Sequence, residues 1–189
     1  MRLKKIGAIC SASKTVQILE KADEAGVIRR YIGTGSALYE VGDLGEGLSL
    51  EIMQTIFDVP EKDRREWNYI ERVVANYPLL DDVCDHEEQL SVLDLLITHR
   101  GDKLVSLCTD RSIVFIDADY LAPLRDEIKA GGVAFFKRPG NLAITVKDGM
   151  CKAIAAICPT QIDDDKFVEQ MSTIYRLLTA PTEETPEDA

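Results

Sequence analysis

Histidine, tryptophan and cationic side chains are all scarce in this 189-residue sequence, and each shortage removes a class of function. There are two histidines, His86 and His99, and one tryptophan, Trp67. A histidine-based acid–base centre must use one of those two positions. Lysine and arginine total 22 against 33 acidic residues, a net charge of −11. That balance disfavours nucleic-acid binding over the whole surface, which needs clustered cations, but it allows a local basic face. No apolar run reaches the roughly 18 residues of a membrane-spanning helix. The basic N-terminus has no apolar segment or cleavage signal behind it, so no signal peptide is expected. Among the five cysteines (Cys10, Cys84, Cys108, Cys151, Cys158) no Cys-x-x-Cys spacing occurs, and an odd count leaves one unpaired. Cys108, Cys151 and Cys158 stand in apolar runs. The cysteines are read as reduced core residues of a cytoplasmic protein.

What remains is ordinary globular material, 46% apolar and 29% charged, enough for one generous domain. Residues 2–13 show helical periodicity, with Leu3, Ile6, Gly7, Ile9 and Cys10 on one stripe. Val16–Leu19 and Val27–Ile32 read as a hairpin, and Ala37–Val41 as a further strand. The glycines from Gly42 to Gly47 match no phosphate-binding spacing and read as a connector. A helix is expected over 49–58, capped by Ser49, stapled by Leu48 and Met53, and with Ile52, Met53, Ile56 and Phe57 as its apolar face. Strands are expected near 67–75, 90–98, 104–107 and 113–116, although Leu90, Leu93, Leu96 and Ile97 also fit helical spacing. Asp117 caps a tight turn, and a helix to Lys129 takes Pro123 at its first position. Three strands then follow, the first two joined by Pro139-Gly140-Asn141 and the last two by an Asp148-Gly149 type I′ turn. The last helix begins at 163–165 and carries Phe167, Val168, Met171, Ile174, Tyr175 and Leu178 on one face. An acidic tail over 181–189 lacks apolar residues and is expected to be disordered.

Strand 37–41, helix 49–58 and the three apolar segments after it make one βαβββ run. Strand 113–116, helix 117–129 and the segments at 133–138, 142–147 and 150–158 make another. Two such units resemble one domain of a DNA sliding clamp. Ile116-Asp117-Ala118-Asp119-Tyr120-Leu121 followed by Leu124 is similar to the start of the clamp's inner helix. Leu142–Val146 and Ala153–Pro159 are similar to the strands that close a clamp domain. The resemblance covers about residues 36–159. It implies an α+β fold of antiparallel sheets with helices on one face, possible duplication of βαβββ, and an added C-terminal helix. The chain then divides into a helix and hairpin (1–35), a clamp-like domain (36–159), a C-terminal helix (160–180) and a tail (181–189). The sequence also resembles proteins of prophages and mobile elements of Gram-positive bacteria. One departure matters. Clamp inner helices are basic, whereas helix 49–58 has no lysine or arginine, and 117–129 sets Arg125 and Lys129 against Asp117, Asp119, Asp126 and Glu127. Clamp-like shape is therefore expected without DNA encirclement.

Few residues suggest chemistry. Cys84-Asp85-His86 is where cysteine, histidine and carboxylates crowd together, with Glu87 and His99 as further candidates. Zinc would need two more ligands at defined spacing, and a Cys84–His86 nucleophile–base pair lacks an orienting third group, so an acidic loop is the preferred reading. The basic positions Arg2, Lys4, Lys5, Arg29, Arg30, Lys137 and Arg138 are the candidate nucleic-acid contacts, with Trp67, Tyr69, Phe135 and Phe136 as candidate base-stacking partners. Doublets of this kind are more often solvated surface, and such aromatics are more often core. Gln89–Leu93 is loosely similar to clamp-docking peptides but lacks their aromatic end, and reads as a buried strand. The expectation is a non-enzymatic binding or scaffold protein, with no cofactor or metal and no membrane. Its partner would be another protein or a second copy of itself. The alternative is an enzyme with its site near Cys84, His86 and His99.

Overall fold

The structure, a computed structural model, describes residues 2–22, 26–42, 48–74, 77–109, 113–140 and 142–179. The chain runs α1 (Arg2–Ser13), β1 (Thr15–Ala22), β2 (Ile28–Gly33), β3 (Ala37–Glu40), α2 (Leu50–Ile56) and β4 (Asn68–Val74). It continues through β5 (Glu88–His99), β6 (Asp102–Cys108), β7 (Ile113–Asp117), α3 (Ala118–Leu121) and α4 (Arg125–Lys129). It ends with β8 (Val133–Lys137), β9 (Ile144–Asp148), β10 (Ala153–Ile157) and α5 (Asp165–Thr179). The fold is α+β. Ten strands form one sheet in the order β4-β1-β2-β3-β10-β9-β8-β5-β6-β7. Every pairing is antiparallel except β1 with β4.

Alternation along the strands sets the two faces. Val16 and Ile18 of β1, Tyr39 of β3, Ile116 of β7 and Val146 of β9 join one core with α1, α2 and the Leu121–Leu124 turn. On the other side, Leu19, Tyr31, Leu38 and Ala156 pack against Leu80, which sits on a single 3-10 turn, Pro78–Leu80. Farther along that same side, Ile113 and Phe115 of β7 and Leu104 of β6 meet Phe167, Val168 and Met171 of α5. Four helices thus share one face, while α5 covers the opposite one. Thr160 N–H donates to the Phe115 carbonyl at 2.7 Å, which ties the strand-to-α5 connection to the β7 edge.

The expected local devices are largely in place. The Ser49 hydroxyl accepts the Ile52 N–H, and Leu48 and Met53 are buried in one cluster. The Asp117 carboxylate accepts the Asp119 N–H. Pro123 breaks 117–129 into α3, a 3-10 turn over Ala122–Leu124 and α4, because proline supplies no N–H for a continuous helix. Gly7 is required where α1 meets α2, since a Cβ there would lie 2.7 Å from the Phe57 ring.

Three local expectations are corrected. Ile52 points to solvent, and Met53 is the buried apolar residue of α2. Asp148-Gly149 is not a two-residue turn. The Asp148 carboxylate accepts from Met150 and Lys152 N–H, and its backbone pairs with Cys151 and Lys152, so the loop runs through Cys151 at φ 61. Cys151 is therefore exposed rather than core; Cys10 and Cys108 are buried, and all five cysteines are free thiols.

The two βαβββ runs differ in pairing. β8, β9 and β10 form the expected meander. In the earlier run β5 and β6 pair, but β4 lies at the far edge of the sheet beside β1. The N-terminal hairpin occupies the space between β4 and β3. Residues 43–47 of the glycine connector, Asp110 and Arg111, Asn141 and the acidic tail lie outside the described residues.

Candidate functional site

The candidate nucleic-acid contacts do not converge. Arg29 bonds Glu40 at 2.9 Å, Asp82 at 2.7 Å and the Ala153 carbonyl at 2.7 Å. Arg30 bonds Glu20 across the β1–β2 ladder. The Arg138 side chain is wholly buried against Glu87 and the Pro78 and Asp81 carbonyls. Arg2, Lys4 and Lys5 lie on α1, across the sheet from Arg29 and Arg138. Arg2 reaches Glu127 at 3.9 Å, Lys4 is exposed and Lys5 is half-buried. Lys137 ends β8 opposite Glu88. The aromatic residues are also occupied: Trp67 and Phe135 are core, and Tyr69 donates to the Leu48 carbonyl at 2.6 Å.

Two of these cations, Arg29 and Arg138, serve the acidic loop instead. Residues 81–87 lie over the sheet, and four strand-borne cations hold them. Lys21 takes Asp81 at 2.6 Å, Arg29 takes Asp82, and Arg138 and Lys147 share Glu87. Burial pushes the Asp82 carboxyl up, but the Ala153 N–H and Arg29 outweigh it and hold it below the usual range. A depressed folded pKa adds stability above the unfolded value of about 4, and that stability is lost as pH falls through the folded value. Unfolding in urea should therefore become easier between about pH 5 and pH 3, and less steeply so in Asp82→Asn. An identical pH dependence in both proteins would exclude Asp82 as a contributor.

The same arrangement separates the groups of the enzymatic reading. His86 and His99 flank β5 at opposite ends, and twelve strand residues span on the order of 40 Å. His99 stacks on Phe167 at 5.9 Å, Glu87 is bound to cations, and the Cys84 thiol contacts the neighbouring Asp85 carbonyl at 3.5 Å. Among the described residues no three metal-ligating side chains gather.

A concave feature lies on the helix-bearing face, where β5 changes partners. Glu88–Leu90 pair with β8, residues 91–99 pair with β6, and the register shifts between Val92 and Leu96. An irregularity of this kind bends the strand and re-aims its side chains. Val92 and Leu96 are left 50% and 59% exposed beside α3 and α4. The resulting groove has a volume of about 460 Å³, with Val92, Leu96, Val105, Leu121, Ile128 and Phe135 in its walls. That volume is typical of ligand sites. Arg125 and Lys129, four residues apart on α4, stand at its rim, and neither has an ion pair among the described residues. A second cavity of about 540 Å³ between α1 and α3 is lined by Lys5, Thr34, Ser36, Asp117, Asp119 and Tyr120. Ala8, Ile9 and Ala12 add an apolar wall, but its one lysine faces two aspartates, so it offers no surplus of cations beside that wall.

The groove was not apparent from sequence. Its trace was the double pattern of Leu90, Leu93, Leu96 and Ile97, which suits neither a regular strand nor a helix because the strand is bulged there. Comparison with family models, with curated proteins and with solved structures finds no match. Among the described residues no helix is long and apolar enough to cross a membrane.

Proposed function

We propose that this chain is a cytoplasmic, non-enzymatic binding protein whose contact site is the groove between the β5 irregularity and α3–α4. The observation that carries the reading is the pairing of an open apolar wall with two rim cations. Exposed Val92 and Leu96 gain by leaving water when covered, at about 25 cal/mol per Å² of apolar surface. Arg125 and Lys129 then favour an occupant with carboxylates beside its apolar anchors. An open groove suits a segment of a protein better than an enclosed small molecule, which would be mostly buried. In this reading the clamp likeness extends to shape alone. α2 carries no cation and α3–α4 carry more acids than bases, so neither neutralises several phosphates.

The test is a random-peptide display selection on the full chain. Expected binders carry two or three large apolar residues next to aspartate or glutamate. Leu96→Glu and Ile128→Glu should each weaken the selected peptides at least about tenfold, equivalent to about 1.4 kcal/mol. Selection of peptides insensitive to both substitutions, or of none, would overturn the groove as the contact site.

A further inference from the structure

The apolar stripe of α5 is longer than its cover. Phe167, Val168 and Met171 are packed on the sheet. The stripe continues one turn later to Ile174 and then Leu177, which are 45% and 73% exposed. Exposed large apolar side chains three residues apart on a helix form the kind of face that enters an apolar groove. The sequence after α5 adds charge. Residues 180–189 contain Glu183, Glu184, Glu187 and Asp188 and no basic residue. One end of the chain thus carries apolar anchors followed by acids. The groove carries an apolar wall edged by Arg125 and Lys129, two cations without ion pairs among the described residues on a protein of net charge −11.

We infer that the groove's occupant is the C-terminal end of α5 from a second copy of this chain. Ile174 and Leu177 would sit against Val92, Leu96 and Ile128, with the following acidic residues supplying charge to Arg125 and Lys129. This rests on the groove being the contact site, and it names the partner. α5 covers the face of the sheet opposite the groove. Its end and the groove are therefore different surfaces, and the contact is head-to-tail. Such a contact closes into a reciprocal dimer or a larger ring. Ten residues reach about 33 Å when extended, ample to place acids along two cations one helical turn apart.

The test is a mixing experiment on the full chain, read by sedimentation and light scattering. Wild type should reach at least twice the monomer mass as concentration rises, with weaker association at about 1 M salt, where screening acts within about 3 Å. Leu96→Glu disables the groove and Leu177→Glu disables the helix end, so each alone should be monomeric, at least about tenfold weaker in association. Both positions are solvent-exposed, and circular dichroism should show unchanged folding. An equimolar mixture should regain association as 1:1 pairs, because each variant retains the surface the other has lost. Arg125→Glu, a surface charge change, should weaken association without altering the fold. A wild type that stays monomeric, a single variant that still associates, or a mixture that does not would each overturn the inference. If wild type is monomeric while display-selected peptides still bind in the groove, self-recognition fails and the binding reading stands. If neither occurs, both fail.

Discussion

Arg138→Ala is expected to cost about 3–5 kcal/mol of folding stability, the range for breaking a buried ion pair from one side. The Arg138 side chain is fully buried at the end of β8, where it serves three acceptors that sequence places far away: Glu87 at 3.2 Å and the Pro78 and Asp81 carbonyls. Alanine leaves two carbonyls and part of a carboxylate without a donor in a place water does not reach. Lys147 remains on Glu87, so the loss should fall toward the lower end of that range. Urea unfolding followed by circular dichroism measures the effect. A change under about 1 kcal/mol would mean that the loop is held without Arg138. The double variant Arg138→Met with Glu87→Gln should lose less than the separate changes sum to, because partners in one network are not additive.

Leu80→Ala should have a comparable effect, about 2–5 kcal/mol. Leu80 is fully buried on a single 3-10 turn, packed with Leu19, Tyr31, Leu38 and Ala156. It is the apolar anchor of the segment whose carboxylates face Lys21, Arg29, Arg138 and Lys147. A one-turn element has little stability of its own and depends on tertiary packing. Truncating the anchor should loosen the segment before the sheet, so proteolysis within 77–87 should rise more steeply than global unfolding. Equal protection of this segment in both proteins would refute its dependence on Leu80.

How legible this was in the sequence follows from the range of the determinants. Helix α1, the β1–β2 hairpin and the β8–β10 meander are fixed by local periodicity and turn residues, and all were readable. The Ser49 and Asp117 caps were readable for the same reason. Long-range matters were not. The parallel placement of β4 beside β1 depends on a crossover that no local pattern encodes. The fate of Arg29 and Arg138 depends on acids 51 to 53 residues away, so doublets that looked like surface cations became internal ones. The Asp148-Gly149 signal was overridden by the carboxylate of Asp148 itself, which closes a longer loop. The groove arises from an irregularity in β5 meeting a proline-broken helix, and neither feature alone indicates a cavity.

We propose the concave face between β5 and α3–α4 as the place where this protein meets its partner. The most direct measurement is an amide chemical-shift map of the full chain during titration with a display-selected acidic, apolar peptide. The largest shifts should fall on residues 92–96, 105, 121–129 and 135, and Leu96→Glu should abolish them. Shifts centred on the loop at 81–87, on α1, or unaffected by Leu96→Glu would contradict that placement.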